Sequence, residues 1–595
     1  MAKSRKVISS KKFVENPYFN IMLIVAFAAF LSVFTTFKIT GDDDVFWHLA
    51  TGRYILETRH VPSTDVFGYM TENDQWMPFE WGWDVTTFLI YQFAGIPGLS
   101  IFRTLMFLLI FALYLYLLRR FKVSYVISFI YLFLLAFAIM DRLTPRPHIM
   151  SYLFFILLLI IICKFRYFNR GNYKILYYIP LIFLIWANMH MGIIAGLFLL
   201  GIYVFSEIIT YLFPNIARKS EIKPLEKKQL FILILISFLA VVVMFINPNF
   251  YQTYIYAYEH TKMKLLETVN EWFSPFSPNY SDSLPIILYK LFLFTGFFII
   301  IYSFIKRDLF PALLYIGFAL YSIRAMRFVV DYDLIVFIFI VVSHNYFYER
   351  IKSVDLKNML FRGAVPKVLL SAFFLFLIFP ISNNKFYLEF LKYYRVTGIG
   401  INQDFIPVQM FDFMKENNVQ EIGSRIFNHF GTGGFFVWNF PDKKNFIDSR
   451  NLNDEIFNKY KEIISKKPGF EKKLNEYGID YAIYLAPDLV RQPEEMQTTV
   501  ISYFCRSPEW KLIFWDDKSF LWVKDLPKFS DLIAKYEYKY ITPYNYMYNR
   551  EQIEKGIRED RETVEKEFNR KISEEPQGIV INSIKVIYYN KIINK

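Results

Sequence analysis

Long apolar runs, separated by short polar or basic stretches, fill the first two thirds of the 595-residue chain. About 20 residues at about 1.5 Å each cover the ~30 Å hydrocarbon core of a bilayer, so runs of this length suit membrane-spanning helices. The pattern predicts eleven spans, at residues 19–37, 99–118, 123–140, 149–164, 174–189, 192–213, 229–246, 284–304, 308–323, 328–345 and 366–381. One polar interruption stands out. Gly41–Asp84, GDDDVFWHLATGRYILETRHVPSTDVFGYMTENDQWMPFEWGWD, follows the first run and carries three consecutive acids, two histidines and four tryptophans. Within it, Asp44–Leu56 reads as a helix with two faces. Val45, Phe46, Leu49 and Leu56 share one side; Asp44, His48 and Thr51 share the other. Such a helix would lie on the membrane surface, with its acid and imidazole turned away from the lipid. Val85–Phe93 is too short to span and runs into Gly95-Ile96-Pro97-Gly98, so it reads as a second surface helix.

Beyond Arg395 the apolar runs shorten and alternate with helical patterns. Arg425–Phe430, Asn445–Arg450 and Asp480–Leu485 read as buried strands. Pro407–Asn417, Asn453–Ile464 and Phe470–Tyr477 read as helices, and WKLIFWDD with SFLWVK reads as a closing hairpin through Asp517-Lys518. GTGG at Gly431–Gly434 lacks the spacing of a phosphate loop and reads as a turn. The expected fold class is thus an α-helical polytopic membrane bundle of about eleven helices, followed by a small α/β soluble domain and a helical tail. The domains expected are 1–394, with its large first outer loop at 39–98, then 395–524, then a charged tail at 525–595. From Glu551 onward the tail reads as a pair of helices.

Composition changes the picture in one respect. The formal charge is +13, which on a soluble chain would invite a nucleic-acid partner. Here the basic residues gather in the loops Arg119–Lys122, Lys164–Lys174, Ala217–Lys228, Lys306–Asp308 and Phe347–Lys367, all on one side of the predicted topology. That is the positive-inside pattern, and it excludes the nucleic-acid reading. It predicts a multi-pass protein of the cytoplasmic membrane with its N-terminus inside and the C-terminal domain outside. The start MAKSRKVISSKK before Asn20–Phe37 reads as an uncleaved signal anchor. The two cysteines, Cys163 and Cys505, fall in different predicted environments and suggest no disulfide. The same topology sends the unusual polar motifs to the outer side: Asp42–Asp44, DRLTPRPH (Asp141–His148), WANMH (Trp186–His190), NPNFYQ (Asn247–Gln252), VNEW (Val269–Trp272) and RAMRFVVDYD (Arg324–Asp333).

Taken together, DDDVFWHLATGRYI with PSTDVFGY and WMPFEW, then RPHIMSYLF, WANMH, NPNFY, NEWFSP and the RIFN…GGFFVW…FIDSR run, resemble the GT-C superfamily of membrane glycosyltransferases. The likeness is to a bacterial branch with an extracytoplasmic α/β domain and extends to about Lys524. It implies an enzyme of the cell envelope using a polyprenyl-phosphate-linked sugar, with a glycan, lipid or protein acceptor outside the cytoplasm. It also implies an acidic catalytic base in the first outer loop, which by position falls on Asp44 or Asp42.

Glycosyl transfer from a lipid phosphate needs a base for the acceptor hydroxyl, a cation for the departing phosphate and an apolar groove for the tail. Asp44 suits the base in a single displacement, and it equally suits a helix cap. Asp42, Asp44 and His48 are an alternative ligand set for a divalent cation, magnesium or manganese. No paired-ligand motif fixes a metal. Arg324 and Arg327, at i and i+3, suit a phosphate, although Arg327 can also pair with Asp331. Arg146, between Pro145 and Pro147, is a further candidate cation. His190, with Asn188, suits an acceptor or phosphate contact, or simply caps a helix junction. Glu271 and Trp272 suit sugar contact, or interfacial anchoring. His429, Asp448 and Arg450 fall at strand ends and read as structural. Two other function classes fit a polytopic chain: a lipid or solute transporter or flippase, which requires inverted halves and mid-membrane charges, and a non-catalytic scaffold with an outer partner-binding domain.

Overall fold

The structure, a computed structural model, describes residues 17–40, 44–215, 220, 222–278, 282–350, 363–393, 395–450 and 452–593. They form two compact units. The first comprises Met1–Lys38, Pro97–Tyr251 and Glu267–Ile399, and the second Ile39–Ile96, Gln252–Leu266 and Gly400–Lys595.

The first unit is a helical bundle. Among the described residues seven helices are long and apolar enough to cross a membrane: Pro17–Thr35, Trp81–Arg120, His148–Phe168, Ile193–Leu212, Lys227–Met244, Leu284–Lys306 and Ala364–Ser382. Tyr125–Ala138, Tyr173–Trp186 and Leu309–Ser322 are apolar but shorter. The remaining predicted span falls on Val329–Tyr348, whose first fifteen residues are buried save Asp331. All eleven predicted spans therefore coincide with helices. Tyr125–Ala138, at 14 residues, is about 21 Å long and falls short of a full hydrocarbon core. Packing between the helices is largely aromatic. Phe27, Phe30 and Phe34, on one stripe of the first helix, meet Phe129, Phe133, Phe137 and Phe374, with ring centroids 4.8–6.4 Å apart.

The turns of this bundle alternate between two ends. At the basic end Arg166 bonds Glu207 and, at 2.5 Å, Asp308; Arg170 adds a second partner to Glu207 at 2.8 Å, and the Tyr167 hydroxyl donates to Asp308. Every charge in this buried network has an opposite neighbour, which is what keeps such a group tolerable away from water. The other end carries the turns 139–147, 187–192 and 323–328 and the long connection that includes Glu271.

Trp81–Arg120 is one helix by hydrogen bonding but is broken at Gly95, with φ 62° and ψ −162°. That conformation is open essentially to glycine alone. The predicted short surface helix is therefore the first part of this element, and Gly95-Ile96-Pro97 is its break.

The second unit has a four-stranded sheet in the order β1-β2-β4-β3, from β1 (Ile426–Asn428), β2 (Tyr481–Leu485), β3 (Trp510–Trp515) and β4 (Ser519–Lys524). β1 and β2 are parallel; β2–β4 and β3–β4 are antiparallel. The strands are almost wholly buried, so they read as continuous apolar runs. Helices Val408–Glu416, Asp454–Ile464 and Phe470–Glu476 form where the periodicity places them. Asn445–Arg450 is not a strand. Only Asn445 bridges, to Gly68, and the amides that follow turn to side chains: Phe446 donates to Asn428 Oδ1 at 2.8 Å and Arg450 to Asp448 Oδ1 at 3.0 Å. GTGG is not a simple turn but a 3-10 turn leading into helix Gly433–Asn439. From Arg550 onward the described residues of the tail form three helices rather than a pair, Arg550–Glu559, Arg561–Glu574 and Ile579–Ile593, because Asp560, at φ −146°, interrupts the first two.

Candidate functional site

In the first unit, a cationic cluster forms at the end opposite the buried network. Arg142 closes the 3-10 turn Met140–Arg142, and its carbonyl accepts from His148 Nε2 at 2.8 Å, which pins the turn to the start of the next helix. Its guanidinium meets Glu271 at 3.1 Å. Arg327 lies on the 3-10 turn Met326–Phe328, tied down by the Met326 amide donating to Phe273 O at 2.9 Å. The Arg327 guanidinium rests 4.4 Å over the Trp272 ring while the side chain stays exposed. Burial alone would raise the Glu271 carboxyl; the charges of Arg142, Arg146 and Arg327 outweigh it and hold Glu271 below its ordinary value. Three guanidinium groups thus act on a single carboxylate of this loop. Asp331, the other nearby acid, accepts from the Tyr321 hydroxyl at 3.2 Å.

His190 borders the same cluster, and its tautomer follows from its bonds. The Gly192 amide donates to Nδ1 at 3.1 Å, so that nitrogen is bare. Ser151 accepts from the Trp186 indole at 2.8 Å and gives its own proton to Nδ1 at 2.7 Å, which leaves the ring proton on Nε2. Burial, then the charges of Arg327 and Arg142, push the imidazole down to about 3. His190 is neutral. Asn188 ties its helix end to Ile246 O at 3.0 Å.

In the second unit, helix Asp44–Thr58 forms as expected, but it has no open polar face. Val45, Phe46 and Leu49 are buried as expected, but His48 and Thr51 are buried too and Leu56 is exposed. The reason is packing on both sides. A Cβ on Gly52 would lie 2.1 Å from the Asp84 carbonyl, so the helix beginning at Trp81 presses directly on this backbone. On the other side Phe46 meets Phe435 at 4.6 Å, and Arg53 donates to the carbonyls of Val437 and Trp438 at 3.1 Å. His48 Nδ1 pairs with Asp84 Oδ1 at 2.5 Å, and Nε2 lies 3.8 Å from Glu80. Asp44 Oδ1 accepts from the Trp47 indole at 3.1 Å and from the Ser449 hydroxyl at 2.5 Å.

Of the three residues of the cation alternative, Asp42 lies outside the described residues. Among the described residues no group of three or more His, Cys, Asp or Glu side chains is arranged to hold a metal ion. Of the expected ligands, His48 turns to Asp84 and Asp44 to Ser449. No step is assigned to a metal.

A scan against protein-family models and a search of curated proteins return no match. Solved structures do match. The Archaeoglobus fulgidus oligosaccharyltransferase in its apo form aligns with a TM-score of 0.54 at 11% identity, over 86% of this chain and 75% of that one. The archaeal oligosaccharyltransferase AglB from Archaeoglobus fulgidus, in complex with an inhibitory peptide and a dolichol-phosphate, aligns at 0.51 and 12% identity, with the same coverage. The chain shares its fold with these oligosaccharyltransferase structures. ArnT from Cupriavidus metallidurans, bound to undecaprenyl phosphate, aligns at 0.49 and 10% identity, over 86% of this chain and 98% of that one. At such identities a shared fold leaves the reaction to be argued from the residues.

Of the residues singled out in the sequence, Arg146, His190, Glu271, Trp272 and Arg327 come together in the first unit. Arg324 does not share a helical face with Arg327: helix Leu309–Ser322 has ended, and Ala325 between them is extended, at φ −154° and ψ 145°. Asp44 and His48 sit in the second unit. Sequence reasoning passed over Arg142, although it lies in the DRLTPRPH motif, because the flanking prolines drew attention to Arg146. It also passed over Asp84 and Ser449. Ser449 is 405 positions from Asp44, and no local pattern could join them.

Proposed function

We propose that this chain is an integral membrane glycosyltransferase that moves a sugar from a polyprenyl-phosphate donor to an extracytoplasmic acceptor. The observation that carries the reading is the arginine cluster around Glu271. Arg142, Arg146 and Arg327 are three guanidinium groups near two acids, Glu271 and Asp331, so the cluster is cationic in balance and suited to a phosphate. The A. fulgidus enzyme of the same fold was solved with a dolichol-phosphate, which supports a lipid phosphate as the ligand.

In this reading a base takes the proton of the acceptor hydroxyl, the role that the sequence gives to Asp44, and the acceptor oxygen bonds to the anomeric carbon. The bond from that carbon to the phosphate oxygen breaks, with its electron pair leaving on the phosphate. A cation must stabilise that growing charge, and within the first unit Arg142, Arg146 and Arg327 are suited to it. The chain sits in the cytoplasmic membrane with the second unit outside, a placement supported by the basic bias of the opposite turns. A reporter fused after Lys524 is then active only on the outer side; activity in the cytoplasm reverses the topology.

The test of the donor site is binding of undecaprenyl phosphate to the protein in nanodiscs. Arg327→Ala weakens it by at least about tenfold, the scale of one charge-assisted hydrogen bond. Arg327→Lys falls between, since it keeps the charge and loses the fork. A folded Arg327→Ala variant that binds as the wild type does removes the cluster from the site.

A further inference from the structure

We infer that Ser449 is a positioning residue for Asp44, so that the C-terminal half of the chain completes the acid of the first polar loop. The inference rests on Asp44 being the base. It also gives FIDSR, a motif the reading above leaves unused, a task.

Ser449 stands between two side chains that cannot move. Arg450 forks onto Asp448, Nε to Oδ1 at 2.8 Å and Nη2 to Oδ2 at 2.7 Å, and its Nη1 reaches Asp65 at 2.7 Å. Asn445 adds a bond to Asp448 at 2.8 Å. Asp65 in turn accepts from the amides of Phe67 and Gly68 and from the Thr71 hydroxyl. The guanidinium is stacked 4.4 Å from Trp76 and 5.0 Å from Phe67. Asp65, Asp448 and Arg450 are 2%, 4% and 7% exposed, so solvent offers none of them an alternative partner. Helix Gly433–Asn439 closes the other side: a Cβ on Gly433 would lie 2.1 Å from Ile447 O and 2.6 Å from the Asp448 Cβ. A backbone held from both neighbours aims one hydroxyl, and that hydroxyl donates to Asp44 Oδ1 at 2.5 Å.

The Trp47 indole donates to the same oxygen. Two donors converging on Oδ1 fix the carboxylate plane, and with it the direction in which Oδ2 presents its lone pairs. Proton abstraction is sensitive to that direction, because the acceptor oxygen must lie within hydrogen-bond reach along it. The Asp448–Arg450–Asp65 frame holds this loop through bonds that do not involve the Ser449 hydroxyl.

The test compares Ser449→Ala, Ser449→Thr, Asp44→Asn and the double variant Asp44→Asn/Ser449→Ala in membranes, with labelled polyprenyl-phosphate hexoses as donors, alongside thermal unfolding. Asp44→Asn lowers kcat by about 10²–10⁴. Ser449→Ala lowers kcat by about tenfold with donor KM and unfolding temperature unchanged, and Ser449→Thr restores it. In the Asp44→Asn background the serine change has no further effect. Full activity in Asp44→Asn overturns the base itself. An inactive Asp44→Asn beside a fully active Ser449→Ala overturns the positioning role alone. So does a Ser449→Ala loss that tracks a lowered unfolding temperature and is not restored by threonine.

Discussion

Arg450 and Arg327 are both arginines stacked on tryptophan, and there the likeness ends. Arg450 is almost wholly buried, with its fork filled by Asp448 and its remaining edge by Asp65. Arg327 keeps its exposure and shares one partly exposed carboxylate, Glu271, with Arg142 and Arg146. A guanidinium whose every direction is answered by the protein holds the protein together. One whose charge exceeds that of its neighbours is available to a ligand. In sequence Arg450 of FIDSR reads as structural and Arg327 of RAMRF as suited to a phosphate, and the packing around each gives a physical reason for treating them differently.

Two substitutions press on that contrast. Arg450→Met leaves Asp448 and Asp65 buried without their cation and costs about 3–5 kcal/mol, read by denaturant or thermal unfolding of the purified protein. Unfolding near wild type would mean that the two acids find other partners and that the frame around Ser449 is soft. The second effect is smaller and opposite in sign. Glu271 is an acid standing where a phosphate is proposed to bind, and its pair with Arg142 is 45% exposed on the carboxylate side. Exposed pairs are weak, so Glu271→Gln costs little in stability. It removes a competitor for the guanidinium groups and tightens undecaprenyl phosphate binding about fivefold. Weaker binding in Glu271→Gln would show that the carboxylate organises the arginines rather than competing for them.

The bundle was legible because hydrophobic length is a property of contiguous sequence: every predicted span met a helix, with ends displaced by a few residues. The hairpin of β3 and β4 was legible for the same reason. What sequence pattern misjudged was contact between distant segments. The helical wheel of Asp44–Leu56 placed His48 outward, but periodicity cannot know that a second helix presses on Gly52 and that Asp84 waits for the imidazole. Asn445–Arg450 has the apolar alternation of a strand, yet its amides are taken by Asn428 and Asp448. Arg324 and Arg327 look like one helical face until Ala325 is seen to be extended. In each case a side chain or backbone from elsewhere in the chain outweighed the local preference.

The Trp186–Ser151–His190 relay has a consequence for the conditions under which such a surface works. An ordinary imidazole gains a charge as its surroundings turn mildly acidic, but His190 stays neutral until about 3. Arginines do not lose their charge in water, and Glu271 is held ionised below its usual range. His190 and Glu271 therefore each keep one charge state in a mildly acidified environment as in a neutral one.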